Sequence, residues 1–236
     1  MGVTKANVGR NIVWANSDNP HRPYDAIGPQ CNKILEDFIR LPMTAAAIPE
    51  AYTTTLVNAS TIALVASGAA LGGRMVITTD AAENDGAQMQ ALGEAFLPTA
   101  NNKIYFGCKF QVSAATQSDF LVGLTITDTT ALGGVTDGIY FRKIDETTAC
   151  NFVIETASTE TATAALTIVA ATDYTLEFYW DGAALYFYVD GVLGGTPVLT
   201  NIPTAEYMTP TIAFLTGAAA VITMTVDWMR TIQITQ

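Results

Sequence analysis

From residue 51 onward the chain alternates apolar and polar side chains in short runs, separated by turn residues. The clearest run is Asp173 to Gly191, DYTLEFYWDGAALYFYVDG. Tyr174, Leu176, Phe178 and Trp180 fall on one side, and Thr175, Glu177, Tyr179 and Asp181 on the other. That is the period of a strand with one buried face. Asp181-Gly182 supplies the backbone freedom of a tight turn, and the chain returns with Leu185, Phe187 and Val189 on the apolar side and Tyr186 and Tyr188 opposite. Asp190-Gly191 is a second turn signal.

The same period recurs elsewhere. Ile104, Phe106, Cys108, Phe110 and Val112 alternate with polar or small residues, as do Phe120, Val122, Leu124 and Ile126. Shorter strands are predicted at 53–57, 61–66, 74–79, 87–92, 138–144, 151–156, 163–169 and 211–216, with a loop at Gly194-Gly195 and Pro197. In the last run, 220–234, Ile222, Met224, Val226, Trp228, Ile232 and Ile234 are expected on one face, interrupted by Arg230. Many short strands at even spacing predict an all-β, two-sheet antiparallel sandwich.

The first 43 residues differ. Residues 1–28 are rich in Asn, Gly, Pro and Asp and lack periodicity, which predicts an extended arm. Ordering it costs about 30–50 kcal/mol of backbone entropy, which only packing on the body or on another chain can offset. Cys31, Ile34, Leu35 and Phe38 recur at helical spacing between Pro29 and Pro42, which predicts one short helix at about 29–41, with an edge strand at 37–39 as the rival reading. The division expected is an arm with helix, 1–43, and a sandwich domain, 44–236.

Composition narrows the function. The net charge of −11 repels phosphates and argues against nucleic acid. Five of the basic side chains lie in residues 1–40, so a near-neutral arm sits on an acidic body. The apolar stretch Leu56–Leu71 is too short and too polar for a helical span, so no membrane is expected. Three cysteines, Cys31, Cys108 and Cys150, show no pairing pattern, which suits a reducing compartment. The single histidine, His21, lacks the partners of a triad or a metal site and reads as a solvated loop residue.

The run Y-x-L-E-F-Y-W-D-G-x-x-L-Y-F-Y-V-D-G at Tyr174–Gly191, with V-D-W-M at Val226–Met229, resembles the concanavalin A-like (laminin G-like) jelly roll over residues 44–236. That resemblance implies a jelly-roll fold shared by lectins, glycanases, adhesion modules and viral surface proteins. Glycanases of the fold carry Glu-x-Asp-x-x-Glu on one strand, and no such spacing occurs here. The Ala/Thr-rich, Lys-poor body with its polar arm is similar to tailed-phage head decoration (cement) proteins. The resemblance therefore implies a non-enzymatic virion component, assembled in the host cytoplasm, without cofactor. It would dock on the major capsid protein and form a homo-dimer or homo-trimer. Anchoring would fall to Lys5, Arg10, Trp14, Arg22, Tyr24, Lys33, Phe38 and Arg40. The alternative is a carbohydrate-binding or host-recognition module. Its candidate sugar or interface face is Glu177, Tyr179, Tyr186 and Tyr188, open equally to cover by the arm or the other sheet. Asp80, Glu83 and Asp85 supply oxygen ligands that could begin a calcium site.

Overall fold

The structure is a computed structural model, and it describes residues 2–44, 49–65 and 73–235. In chain order the strands are β1 (Val3–Val8), β2 (Asn11–Asn16), β3 (Pro23–Ile27), β4 (Cys31–Glu36), β5 (Tyr52–Val57), β6 (Thr61–Leu64), β7 (Met75–Thr78), β8 (Gly86–Ala91), β9 (Asn102–Val112) and β10 (Ser118–Thr125). A single helical turn, α1 (Ala131–Gly134), follows. Then come β11 (Gly138–Lys143), β12 (Ala149–Thr156), β13 (Thr159–Thr167), β14 (Tyr174–Trp180), β15 (Leu185–Val189), β16 (Val192–Gly195), β17 (Thr209–Thr216) and β18 (Thr223–Thr235).

The strands form three antiparallel sheets. A seven-stranded sheet runs β13-β12-β11-β10-β17-β8-β5. It faces an eight-stranded sheet, β16-β15-β14-β9-β18-β7-β6, with β4 also paired to β18. The sandwich expected from the alternation is therefore present. Between the layers lie Phe106, Phe110, Phe178 and Phe187 from one sheet and Phe120, Phe141, Phe152 and Phe214 from the other, all fully buried. They meet across the gap in aromatic pairs, with Phe110–Phe120 and Phe152–Phe187 centroids each 5.0 Å apart.

The hairpin β14–β15 forms as its pattern predicts. Gly182 takes φ +102° at the turn, and Asp181 Oδ1 accepts from the N–H of Ala183 (2.8 Å) and Ala184 (2.7 Å). The second turn, Asp190-Gly191, leads directly into β16 rather than into a loop. Gly195 pairs with Phe187, and the Phe187 ring occupies the space a Cβ on Gly194 would need. Those glycines serve close packing, not chain freedom.

Three expectations from the sequence need correction. Residues 29–41 are not helical. Cys31–Glu36 is β4, paired with Met229–Ile234 of β18. β7 covers only Thr223–Val226 of that long strand, so β18 needs a second partner for its remaining backbone groups. A short isolated helix has no comparable gain. Phe38, at φ 47°, turns the chain at the end of β4 and buries its side chain to 1% exposure.

The second correction concerns β18. Its register slips between Val226 and Trp228 against β9, so the strand changes face at Asp227. Met224 and Val226 point into the sandwich, but beyond the bulge it is Met229 that does so. Ile232 and Ile234 point outward into a separate cluster.

That outward cluster is the third correction. Residues 3–27 are not an extended arm but a three-stranded sheet, β1-β2-β3. Val13 and Ala26 on its inner side pack over Tyr105, Ile232 and Ile234 on the outer face of the eight-stranded sheet. The small sheet ends at Ile27, and β4, just before the expected domain boundary, belongs by hydrogen bonding to the sandwich. Within the stretch Leu56–Leu71, residues 56–57 and 61–64 are strand, and 66–71 lie outside the described residues. Among the described residues no helix is long and apolar enough to cross a membrane.

Candidate functional site

Each sheet of the sandwich has an outer face, and each carries a distinct set of polar groups. On the eight-stranded sheet these are the hairpin residues singled out from the sequence. Opposite residues in register place Glu177 beside Tyr188 and Gly107, and Tyr179 beside Tyr186 and Tyr105. The loop between β2 and β3 lies on top of them. That loop is shaped by side chains that cap their own backbone: Asn16 Oδ1 accepts from Asp18 N–H (2.8 Å) and Asn19 Oδ1 from His21 N–H (3.0 Å).

His21 is thereby pressed onto the hairpin rather than left in solvent. Its ring stacks on Tyr179 at 4.7 Å and 11°, lies 4.6 Å from Tyr186, and Nδ1 shares a 2.8 Å hydrogen bond with the Tyr188 hydroxyl. Burial holds its pKa below the usual 6.5. Arg22 Nε lies 2.9 Å from Glu177 Oε1 and 2.8 Å from Oε2, with hydrogen-bond geometry met at Oε1. Tyr105 donates its hydroxyl to the same Oε1 at 2.7 Å. Glu177 is 2% exposed, so this is a buried, charge-balanced network. The tyrosine face is an interface, and its occupant is the chain's own amino-terminal sheet.

The expected anchoring residues accordingly separate. Arg22 is committed to Glu177, Lys33 pairs with Asp25 at 2.5 Å, and Phe38 is in the core. Trp14 and Tyr24 are half-buried, and Lys5, Arg10 and Arg40 are exposed.

The acidic loop is also structural. Asp85, 2% exposed, accepts from Asn58 Nδ2 and from Ala82 N–H (2.8 Å), while Asp80 accepts from Ala59 and Ala81 N–H groups. Among the described residues no group of three or more His, Cys, Asp or Glu side chains is placed to hold a metal ion. The three cysteines are free, and Cys108 and Cys150 are buried thiols whose pKa burial raises.

The seven-stranded sheet presents the other face. Residues 126–137, between β10 and β11, fold across it. α1 and Val135 bury Ala131 and Val135 against Leu121, Tyr140, Val153 and Ala213. Two buried glutamines of β8 pin this cover. Gln90 donates Nε2 to Ile126 O (3.0 Å) and to Thr125 and Thr211 Oγ1 (3.1 Å each), and its Oε1 accepts from Asp128 N–H at 2.9 Å. Gln88 accepts from Ala131 N–H at 2.7 Å and donates to Asp128 O.

The cover stops at Leu132. Beyond it, over β5, β8, β17 and the start of β10, lies a cavity of about 460 Å³. Its volume is in the range of small-ligand sites, about 300–1,000 Å³. Val57, Leu132, Ala213 and Leu215 give it apolar walls, and Thr55, Asn84, Thr129 and Thr130 give it hydroxyl and amide groups. Asp119 and Asp145 line it as well. Asp119 is 8% exposed, and its Oδ1 accepts from the Asp145 N–H. Burial, then the neighbouring Asp145, push its pKa up to about 6. Lys143 is fully buried and acts on both carboxylates without an ion pair to either. Its ammonium donates to the carbonyls of Thr116 (3.4 Å), Ser118 and Ile144 (3.2 Å).

No family model and no curated protein sequence matches the chain. Solved structures do. A protein of unknown function from Shewanella oneidensis MR-1 superposes with a TM-score of 0.61 at 14% identity, covering 87% of each chain. The endo-1,3-beta-glucanase of Streptomyces sioyaensis gives 0.59 at 12% identity, over 89% of this chain and 99% of that one. The carbohydrate recognition domain of Emp47p gives 0.58 at 11%, over 86% and 94%. The fold is the concanavalin A-like jelly roll. At such identities the likeness is one of architecture, and chemistry has to be read from this chain's own residues.

Those residues are mostly ones the sequence did not mark. Asp119, Asp145, Gln88 and Gln90 belong to no motif and are far apart along the chain. The one available signal was a carboxylate or amide at an outward position of an otherwise apolar strand.

Proposed function

We propose that this jelly roll is a non-enzymatic carbohydrate-binding module, with its ligand in the cavity on the outer face of the seven-stranded sheet. The observation that carries this reading is the cavity's mixed lining. Sugars present hydroxyls at their edges and apolar C–H faces, and the cavity sets threonine, asparagine and aspartate groups around Val57, Ala213, Leu215 and Leu132. A glycan array followed by calorimetry tests it. Leu215→Trp, which narrows the cavity from a partly exposed wall position, is expected to remove binding while the protein still melts cooperatively; full binding by that variant would exclude the cavity as the site.

A second reading, a virion component docked on a capsid lattice, draws on the small sheet. Val3 and Ile27 are 65% and 55% exposed on that sheet. Lys5 and Arg10 take part in no ion pair among the described residues. Such a contact would use the folded sheet's outward surface, since residues 3–27 form a sheet rather than a free arm. Loss of capsid sedimentation by a Lys5→Glu, Ile27→Glu variant that still melts normally would support it, and unchanged sedimentation would remove it.

A further inference from the structure

The cavity is electrically one-sided. Two carboxylates line it, and among the described residues its lining contains no lysine, arginine or histidine and no aromatic ring. Neither Asp119 nor Asp145 takes part in any ion pair among the described residues. Asp119 is more than nine-tenths buried, and the one hydrogen bond it receives is from a neutral backbone N–H. Lys143 sends its ammonium to three backbone carbonyls and makes no ion pair with either carboxylate. It acts on both carboxylates only at a distance; a buried carboxylate with no cation in contact is costly, and a cation that enters beside it recovers part of that cost. Recognition of a neutral ring would instead be expected to use an aromatic platform, which this lining lacks.

We infer that the cavity binds an amino sugar, with the sugar's ammonium group seated between Asp119 and Asp145 and its ring against Ala213, Leu215 and Leu132. This rests on the carbohydrate-binding reading above and names the class of sugar. Thr55 and Thr129 are then left for the hydroxyls, since the Thr130 hydroxyl already donates to Asp128 and the amide of Gln88 is occupied in holding residues 128 and 131. The groups that set the charge of Asp119 are Asp145 and Glu83, which disfavour ionisation, and Lys143, which favours it. Binding therefore strengthens as pH rises through about 6 and weakens again where the ligand's amine loses its proton.

The test is calorimetry of the full chain with a glucosamine tetrasaccharide and with its fully N-acetylated counterpart, at about pH 5 and about pH 7. The free-amine ligand is expected to bind about tenfold to a hundredfold more tightly than the acetylated one at the higher pH, and to lose most of that margin at the lower. Asp119→Asn and, independently, Asp145→Asn are each expected to abolish the preference while the protein still melts cooperatively. Equal affinity for the two ligands, unchanged by either substitution, overturns the amine assignment and leaves the carbohydrate reading standing. Binding of neither ligand by the wild-type chain, with glycan-array hits absent as well, overturns both.

Discussion

The two outer faces of the sandwich begin alike and end differently. Both are polar sides of antiparallel strands, and both are partly roofed by another segment of the chain. On the eight-stranded sheet the roof is the amino-terminal sheet, and the fit is charge-balanced: Arg22 meets Glu177, and His21 fills the space between Tyr179 and Tyr186. On the seven-stranded sheet the roof is residues 126–137. It is fastened by neutral amides and falls short of the end of the sheet where β5 and β17 finish and β8 and β10 begin, leaving Asp119 buried with no ion pair. A completed electrostatic contact holds a structure together. An uncompleted one leaves free energy available to a ligand.

The largest effect is expected where the balanced face is broken. Arg22→Ala leaves Glu177 buried and unpaired, and should cost about 3–5 kcal/mol, read as a large drop in melting temperature. Glu177→Gln in the same background should recover part of it by removing the stranded charge. Next is the fastening of the incomplete roof. Gln90→Ala leaves the carbonyl of Ile126 and the N–H of Asp128 without their partner, and should cost about 1–3 kcal/mol, with hydrogen exchange accelerating across residues 126–137.

Asp119→Asn should act in the opposite direction. The folded protein holds the Asp119 proton to about pH 6 against 3.8 for an ordinary aspartate. Its stability contribution is therefore present at low pH and is lost as pH rises through about 6. The substitution should stabilise by about 2 kcal/mol at neutral pH, and that gain should vanish below the ordinary aspartate pKa. A more stable variant that no longer prefers the free-amine ligand would be the signature of a site. The smallest effect belongs to His21→Ala, about 1 kcal/mol, from the lost ring contacts. Because burial lowers the His21 pKa below 6.5, its contribution is complete above that value and declines as pH falls below it. The part of the pH dependence of melting between about 5 and 7 that this variant loses, relative to the unsubstituted chain, would be the histidine's share.

The alternation of Tyr174–Trp180, Leu185–Val189 and Ile104–Val112 was sufficient to place those strands, their buried faces and the turn at Asp181-Gly182. A strand's period is a local property, set by the geometry of one chain, so it can be read without knowing what lies opposite. Cys31–Glu36 escaped that reading because its apolar residues recur at helical spacing, and the otherwise unpaired stretch of β18 took it as a strand. The face of Ile232 and Ile234 escaped it because one residue inserted at Asp227 reverses the parity of everything after it. The folded amino-terminal sheet and the meeting of Asp119 with Asp145 depend on contacts between segments remote in sequence. Composition and period carry no record of such pairings. They exist only once packing and charge have been settled in three dimensions.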